Sequence, residues 1–327
     1  MKVWAKNWAQ IMLAIFLKTL PFFAIIGLGY GAARTRFVSA QAAASLTQFV
    51  FYFALSAMLF RFAAQLSLAE LFDWRFVAAY LLGSSVVYCL SFGISRMRGT
   101  SLAEAAIEAQ CGVIGNTGFL GMPMLVVLLG PLAAGPVLMV LAIDLIVFST
   151  LITIVITASR EGRMTRAAYG RLLLGLVKNP MIVSMCLGLG WSLLAPPMPV
   201  VMSDFLTLLG GASTPGALFA IGASLAVKSA ERLGVAGWIS FTKLFLHPAA
   251  VAIAAFWIFY VDAHLAAVMV CAAALPVAGN VYILAQYFGV APQRVSASIL
   301  VSTAFSILTV SLVIAWALPI MVQADGG

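Results

Sequence analysis

The sequence predicts an all-α polytopic membrane protein: ten transmembrane helices as two inverted five-helix repeats, with broken, crossing helices 4 and 9. Three observations lead to this fold class. Hydrophobic residues make up 64% of the 327 positions and charged residues only 9%, whereas soluble domains are about 45–50% apolar and about 25% charged. Apolar runs of roughly 20 residues, long enough to cross a bilayer, recur along the chain. Finally, the two halves share short motifs in the same order.

Ten apolar runs are candidate spans, separated by short connections. They cover residues 12–33, 41–62, 74–95, 104–130, 132–157, 171–194, 203–227, 235–260, 263–289 and 294–321. The first run follows Lys2 and Lys6, contains Lys18, and is followed by Arg34 and Arg36. A cleaved signal peptide has its positive charge before a shorter apolar region, so we expect this run to be a retained span.

The basic residues predict how the chain is oriented. Eleven of the eighteen lysine and arginine residues lie in the odd-numbered connections, and four lie on the other side. Because cytoplasmic loops collect positive charge, the odd connections are predicted to be cytoplasmic and both termini to lie outside the cell. Membrane topology therefore accounts for the net charge of +8, and no nucleic-acid partner is expected. The basic segment 158–170 would then be a cytoplasmic linker between a first repeat, 1–157, and a second, inverted repeat, 171–327.

Short motifs recur between the two halves. Span 1 contains "LKTLPFFAIIGLGYG" and span 6 "VKNPMIVSMCLGLGW", which share a lysine, a proline and Gly-Leu-Gly. Span 2 contains "SAMLF" and span 7 "PGALF". Since five spans is an odd number, the second repeat must enter the membrane from the opposite side. Inverted repeats with interrupted spans at matching positions indicate a secondary transporter; the alternative is chance similarity between apolar segments.

Spans 4 and 9 each contain a proline among polar residues: Pro123 in "GNTGFLGMPML" and Pro276 in "ALPVAGNVYILAQ". Proline lacks a backbone N–H and clashes with the preceding turn, so both helices are expected to break there and to cross near the bilayer centre. The alternative is a simple proline kink. Broken ends expose N–H groups with a partial positive charge of about half a unit, which attracts anions. The predicted substrate-binding residues are Asn116, Thr117, Gly118, Pro123, Ser213, Thr214, Pro276 and Asn280.

Ionisable residues inside a membrane are costly and are candidate functional groups. Asp144, in the middle of span 5, is the candidate for proton coupling; the alternative is a structural hydrogen bond to span 10, which carries Ser302, Thr303 and Ser306.

Six other ionisable positions are given weaker roles. Lys18 and Lys178 lie near span ends and are expected to extend to the membrane interface. Lys243 and His247 are four residues apart and share one helix face. We expect them either to take part in ion coupling or to pack beside Pro248. Glu108, like the glutamate four residues before it, is expected to be solvated at the cytoplasmic interface.

No catalytic constellation stands out in the sequence. The two histidines lack metal-ligand spacing, no phosphate-binding glycine loop is present, and the four cysteines show no paired spacing. We therefore expect neither an enzyme nor a cofactor or metal site, and an ATP-driven pump is disfavoured.

The motifs of spans 4, 7 and 9 resemble those of the auxin efflux carrier family, over essentially the whole chain. That family includes plant PIN-type auxin exporters and bacterial permeases associated with malonate and malate. The resemblance implies ten spans with outward termini, crossing helices at Pro123 and Pro276, and a substrate-binding asparagine at Asn116. Bacterial relatives often have a proline in span 2 where this chain has Ser56, which puts a break in that span in doubt. The chain lacks the long cytoplasmic loop of many plant exporters and resembles the shorter family members of the bacterial inner membrane.

The expected function is secondary active transport of a small organic anion by alternating access. A carboxylate such as malonate, malate or an auxin-like acid is the expected substrate. The alternatives are a sodium-coupled organic-anion symporter of the bile-acid-symporter type and a membrane receptor that binds a ligand without moving it. The expected partners are the substrate, membrane lipid, a coupling proton or sodium ion, and a second copy of the chain in a homodimer.

Overall fold

The computed structural model describes the backbone of residues 2–66, 73–161, 170, 174, 177–194, 197–226 and 233–325. These residues are almost entirely helical, and the described part holds one isolated antiparallel bridge and no strand. We number the helical segments in chain order: α1 (Lys2–Arg34), α2 (Ala40–Ala64), α3 (Trp74–Met97), α4 (Leu102–Val113), α5 (Thr117–Leu129), α6 (Pro131–Ser159), α7 (Pro180–Leu194), α8 (Val200–Ala226), α9 (Leu233–Ile258), α10 (Ala263–Ala273), α11 (Gly279–Phe288) and α12 (Pro292–Asp325).

Seven described helices are long and apolar enough to cross a membrane: α1 from Leu13 onward, α2, α3, α6, α8, α9 and α12. The predicted all-α polytopic membrane class is therefore confirmed. The other three predicted spans coincide with shorter helices. Span 4 comprises α4 and α5, span 9 comprises α10 and α11, and α7 forms the C-terminal part of span 6.

The distribution of side chains is the one expected for a helical protein in lipid. Large apolar side chains such as Leu28, Leu208 and Trp257 face outward, whereas hydroxyl groups such as those of Thr242 and Ser298 are buried. Polar side chains in a membrane bundle hydrogen-bond within the protein because lipid offers them no partners. The outer face of the bundle is therefore apolar and its interior partly polar.

Helix contacts divide the chain into two groups. In the peripheral group (α1, α2, α7 and α8), α1 packs along the second half of α8, and α7 packs along the second half of α2. In the crossing group (α3, α4, α5, α6, α9, α10, α11 and α12), α12 packs on α9 and α10, while α3 packs on α4 and α9. The groups meet where α1 contacts α12 and where α8 contacts the first turn of α5.

Glycines let the helices of the peripheral group touch backbone to backbone. A Cβ atom at Gly29 in α1 would lie 2.1 Å from the carbonyl oxygen of Phe219 in α8. A Cβ atom at Gly188 in α7 would lie 2.5 Å from the carbonyl oxygen of Phe60 in α2. Both glycines belong to the Gly-Leu-Gly motifs, and both phenylalanines end the "SAMLF" and "PGALF" motifs. The motifs shared by the two halves thus contact one another in the folded chain.

Candidate functional site

The interruptions of spans 4 and 9 lie side by side. The N–H of Asn116 donates to the carbonyl of Pro276 over 2.8 Å, and the N–H of Ala278 donates to the carbonyl of Ile114 over 3.1 Å. These reciprocal bonds form the antiparallel bridge noted above. Backbone that leaves a helix at membrane depth must find other partners, and here each unwound stretch supplies them to the other.

Four helix ends meet around these paired breaks: the C-terminal ends of α4 and α10 and the N-terminal ends of α5 and α11. The first N–H groups of a helix have no intrahelical acceptor and carry a partial positive charge. Asn116 precedes α5, is 7% exposed, and its side chain makes no capping bond. Asn280 lies in the first turn of α11, and its buried Oδ1 atom has no hydrogen-bond partner. Each N-terminal end thus has an asparagine beside it.

The break in span 4 does not lie at Pro123, and this part of the prediction is wrong. The unwound residues are those just before Thr117, whereas Pro123 is buried inside helix α5. The turn before the proline, Thr117–Gly121, is a wide π turn, in which the N–H of Met122 reaches the carbonyl of Thr117. The proline follows at the start of the regular α-helix, where a missing N–H is tolerated. Pro276, in contrast, lies in the unwound stretch of span 9.

The first turn of α5 faces the peripheral group. A Cβ atom at Gly118 would lie 2.6 Å from the terminal methyl of Met181 in α7, so only glycine fits without a shift there. The ring of Phe119 stacks on that of Phe51 in α2, with centroids 6.0 Å apart. Thr117 is buried, and its hydroxyl donates to the carbonyl of Gly115 over 3.4 Å. This turn therefore lies at the boundary between the two groups.

Ser213 and Thr214 follow a turn in the middle of α8. The hydroxyl of Ser213 is buried, donates to the carbonyl of Gly210 over 2.6 Å and lies 3.0 Å from the sulfur of Met58. Thr214 is half-buried. The structure thus gives the Ser213 hydroxyl partners within the peripheral group, and it places both residues on the helix that packs against the first turn of α5.

Asp144 is buried in α6, with 2% of its surface exposed. One carboxylate oxygen accepts a hydrogen bond from the hydroxyl of Tyr80 in α3 over 2.8 Å, and the other oxygen has no partner. The alternative interpretation of Asp144, a structural hydrogen bond to span 10, is wrong. Ser302 accepts the N–H of Val277 over 3.1 Å, at the break in span 9, and Ser306 donates to its own helix.

Lys243 and His247 form a buried polar network with three other residues. Lys243 donates from Nζ to the carbonyl of Ala273, the last residue of α10, and its Nζ lies 3.1 Å from Nδ1 of His247. The other ring nitrogen of His247 lies 2.9 Å from the hydroxyl of Ser84, and the ring packs edge-on against that of Tyr80. The members of this network are Tyr80, Ser84, Asp144, Lys243 and His247.

The sequence could have suggested part of this network. Two ionisable residues four apart within an apolar span are costly in lipid and mark functional positions. The acceptor of the Lys243 ammonium group, however, is the backbone carbonyl of Ala273, thirty residues away along the chain. Every residue has a backbone carbonyl, so the sequence does not indicate which carbonyl accepts this hydrogen bond.

Glu108 is not solvated, and that expectation is wrong. Its side chain is 2% exposed and forms ion pairs with Arg98, at the end of α3, and with Arg294, at the start of α12. Arg294 also contacts Glu104 over 2.8 Å. A buried carboxylate needs charged partners, and here two basic connections supply them. The ion pairs tie together the ends of three helices of the crossing group.

Lys18 and Lys178 have exposed side chains. Their positions near the ends of spans fit an extension of the ammonium group toward the membrane interface. Neither residue is part of the buried polar network described above.

Comparison with known proteins agrees with these observations. The family model described as "Membrane transport protein" matches residues 14–164 and 156–314. A protein of Rhizobium meliloti (strain 1021), named "Putative malonate transporter", is 31% identical over 298 residues, 89% of this chain and 92% of the relative. "Uncharacterized transporter YfdV" of Escherichia coli (strain K12) is 28% identical over 309 residues, 92% of this chain and 97% of the relative. The chain therefore belongs to the membrane transport protein family, as its resemblance to the auxin efflux carriers indicated, and is a multi-pass membrane transporter rather than an enzyme.

Proposed function

We propose that the protein is a secondary active transporter that moves a small organic anion by alternating access. A carboxylate such as malonate, malate or an auxin-like acid is the proposed substrate. The observation that carries this proposal is the meeting of two helix N-termini, each with an asparagine, at the paired breaks. Free N–H groups and the helix dipole attract an anion without the desolvation cost of a full opposite charge. The name of the Rhizobium relative supports the same substrate class.

The proposed binding residues surround the first turns of α5 and α11. Asn116 and Asn280 would donate side-chain N–H groups to the carboxylate, while Gly118 would offer the backbone N–H of the first turn. The backbone N–H of Thr117 donates to the carbonyl of Gly115 over 2.8 Å, so Thr117 would shape the site rather than donate from its backbone. Pro276 holds Asn116 in place through its carbonyl. The remaining proposed residues, Pro123, Ser213 and Thr214, would shape the walls of the site.

We also propose two inverted repeats, residues 1–157 and 171–327, with spans 4 and 9 as broken and crossing helices. Residues 162–169 of the predicted linker 158–170 lie outside the described part of the chain. Two pairs of contacts support the repeat. Gly188 follows Gly29 by the same 159 residues by which Phe219 follows Phe60, and each glycine meets a phenylalanine of the other half. At the paired breaks, each half likewise donates one backbone hydrogen bond to the other half.

Alternating access would follow from motion of the crossing group against the peripheral group. Side chains from α2, α6 and α7 line a cavity between the two groups, and all of them are apolar. They are Ala63, Leu138, Met139, Ala142, Met185 and Leu189. This apolar stretch of the boundary has no hydrogen bonds to break when one group slides or rocks, whereas the hydroxyls of Thr19 in α1 and Ser311 in α12 hydrogen-bond over 2.8 Å at another contact between the groups. Asp144, inside the crossing group, is the proposed proton-coupling residue.

The proposed location is the bacterial inner membrane, with both termini in the periplasm. The excess of lysine and arginine in the odd connections supports this orientation. The bacterial relatives support the assignment to a bacterial membrane.

The substitution Asn116→Ala tests the site. Losing a hydrogen bond to a charged group costs about 1.5–3 kcal/mol, so we expect malonate to bind the purified variant at least about tenfold more weakly. Isothermal titration calorimetry in detergent measures the affinity. Gln286→Ala, which removes an exposed amide from α11, is the matched control and should bind as the unaltered protein does. Unchanged malonate affinity in a folded Asn116→Ala protein would remove Asn116 from the site.

A further inference from the structure

We propose that the hydroxyls of Thr19 in α1 and Ser311 in α12 form a latch that holds the crossing group against the peripheral group in one of the two conformations of alternating access. In the other conformation this hydrogen bond is broken, and α7 closes on α6 instead. The inference rests on the proposed function because it requires the two groups to move, whereas the hydrogen bond itself is a feature of the structure.

The latch joins the two groups inside the protein. Thr19 is fully buried, Ser311 is 2% exposed, and their hydroxyl oxygens are 2.8 Å apart. The two residues are 292 positions apart along the chain, and α1 packs against α12 where they meet. Polar side chains that hydrogen-bond across helices contribute to helix association in membranes. The hydrogen bond therefore stabilises the contact between the peripheral and crossing groups.

The latch can open without leaving a buried hydroxyl unpaired. The Thr19 hydroxyl also lies 2.9 Å from the carbonyl of Phe16, and the Ser311 hydroxyl lies 2.7 Å from the carbonyl of Ile307, each within its own helix. Because each hydroxyl has a single hydrogen atom, two hydrogens serve three contacts. When the groups separate, both hydroxyls can donate to the carbonyls of their own helices. Opening the latch therefore costs little free energy.

The corresponding contact in the other repeat is open. Spans 1 and 10 meet at the latch, and their counterparts in an inverted repeat are spans 6 and 5. The helices of these two spans, α7 and α6, are separated by the apolar cavity described above. This cavity has a volume of about 50 Å³, and its lining includes Met139 and Ala142 of α6 and Met185 and Leu189 of α7. One boundary is thus closed by a hydrogen bond, whereas its counterpart contains a gap.

The inverted repeat indicates how this difference changes during transport. Two repeats of one fold can exchange their conformations, and the exchange turns an arrangement open to one side of the membrane into one open to the other side. In this protein the exchange closes α7 on α6, fills the cavity and separates α1 from α12. The hydrogen bond between Thr19 and Ser311 is therefore specific to one conformation.

Distances between spin labels, measured by electron paramagnetic resonance in detergent without any organic anion, test the latch. One pair of labels, at Leu20→Cys and Leu312→Cys, reports on α1 and α12. A second pair, at Val147→Cys and Leu187→Cys, reports on α6 and α7, and all four positions are exposed. The four native cysteines are replaced by alanine. We expect two populations for each pair, and the fraction with a longer α1–α12 distance should match the fraction with a shorter α6–α7 distance.

Thr19→Val removes one hydroxyl of the latch. We expect the ratio of open to closed latch to rise about threefold, the average effect of losing a hydrogen bond between membrane helices. Ser311→Ala should have the same effect, and it replaces the first variant if Thr19→Val does not fold. Ser306→Ala is the matched control, because this buried hydroxyl of α12 donates to Thr303 in its own helix. The control should leave the ratio unchanged.

Two results would overturn the inference: a ratio that neither Thr19→Val nor Ser311→Ala changes, or an α1–α12 distance that stays constant while the α6–α7 distance shortens. A single fixed distance for each pair in every variant belongs to the first result. Because no carboxylate is present, the outcome does not depend on whether malonate is transported. A failure of the substrate proposal is therefore distinguishable from a failure of the latch.

Discussion

Asp144 shows how a single residue can be found from sequence while its surroundings cannot. An acidic residue in the middle of an apolar span is conspicuous, since such groups are costly and mark ion or proton pathways. Its donor, Tyr80, is 64 positions away on another helix. Tyrosines are unremarkable in a membrane helix, so the sequence pointed instead to the hydroxyl groups of span 10. Only the contact between α3 and α6 within the crossing group selects the actual partner.

The substitution Asp144→Asn tests proton coupling at this position. The amide keeps the size and an acceptor oxygen for Tyr80 but cannot release a proton. We expect malonate accumulation driven by a proton gradient to fall at least about tenfold in the variant. A tenfold change corresponds to about 1.4 kcal/mol. Counterflow exchange of malonate without a gradient should persist. Both are measured in proteoliposomes, with Asp204→Asn, at an exposed acidic residue, as the control. Gradient-driven accumulation at the normal level by Asp144→Asn would exclude this carboxylate as the coupling group.

The two interrupted spans show what proline does and does not predict about a helix. In span 9 the sequence located the break correctly, because Pro276 lies in the unwound stretch. In span 4 it did not, because a π turn before Pro123 allows helix α5 to continue through the proline. The break instead occurs where Asn116 and its neighbours find backbone partners in the other span. That pairing is a tertiary contact, and no local propensity encodes it.

Close packing of α1 on α8 provides a test at the level of a helix pair. A Cβ atom at Gly222 would lie 1.9 Å from the carbonyl oxygen of Ile26, which is backbone and cannot move aside alone. We expect Gly222→Ala to destabilise the protein by about 1–3 kcal/mol, the usual cost of overpacking.

Thermal unfolding in detergent measures this change, with Gly27→Ala as the matched control. A Cβ atom at Gly27 meets no heavy atom within 4 Å, and alanine favours the helix, so its melting temperature should stay the same or rise. Equal melting temperatures for the two variants would contradict backbone-to-backbone packing of α1 on α8.

The whole chain combines an apolar exterior with a small amount of deeply buried charge. Composition and hydropathy were sufficient to predict the polytopic class, because lipid acts on every exposed side chain in the same way. They were not sufficient for the buried charges. Glu108 was predicted to be a solvated acid at the interface, yet Arg98 and Arg294 hold it inside the crossing group. Arg98 follows the end of α3 and Arg294 lies in the first turn of α12, and the closeness of these helix ends depends on the complete arrangement of helices.

Uptake of radiolabelled carboxylates into proteoliposomes tests the central claim most directly. The purified protein is reconstituted, with and without an imposed proton gradient, beside Asn116→Ala and protein-free liposomes. We expect saturable uptake of malonate, malate or an aromatic carboxylate by the unaltered protein, with at least about a tenfold loss of uptake efficiency in Asn116→Ala. Absence of flux for all three acids in folded, correctly reconstituted protein would contradict the account of an organic-anion transporter.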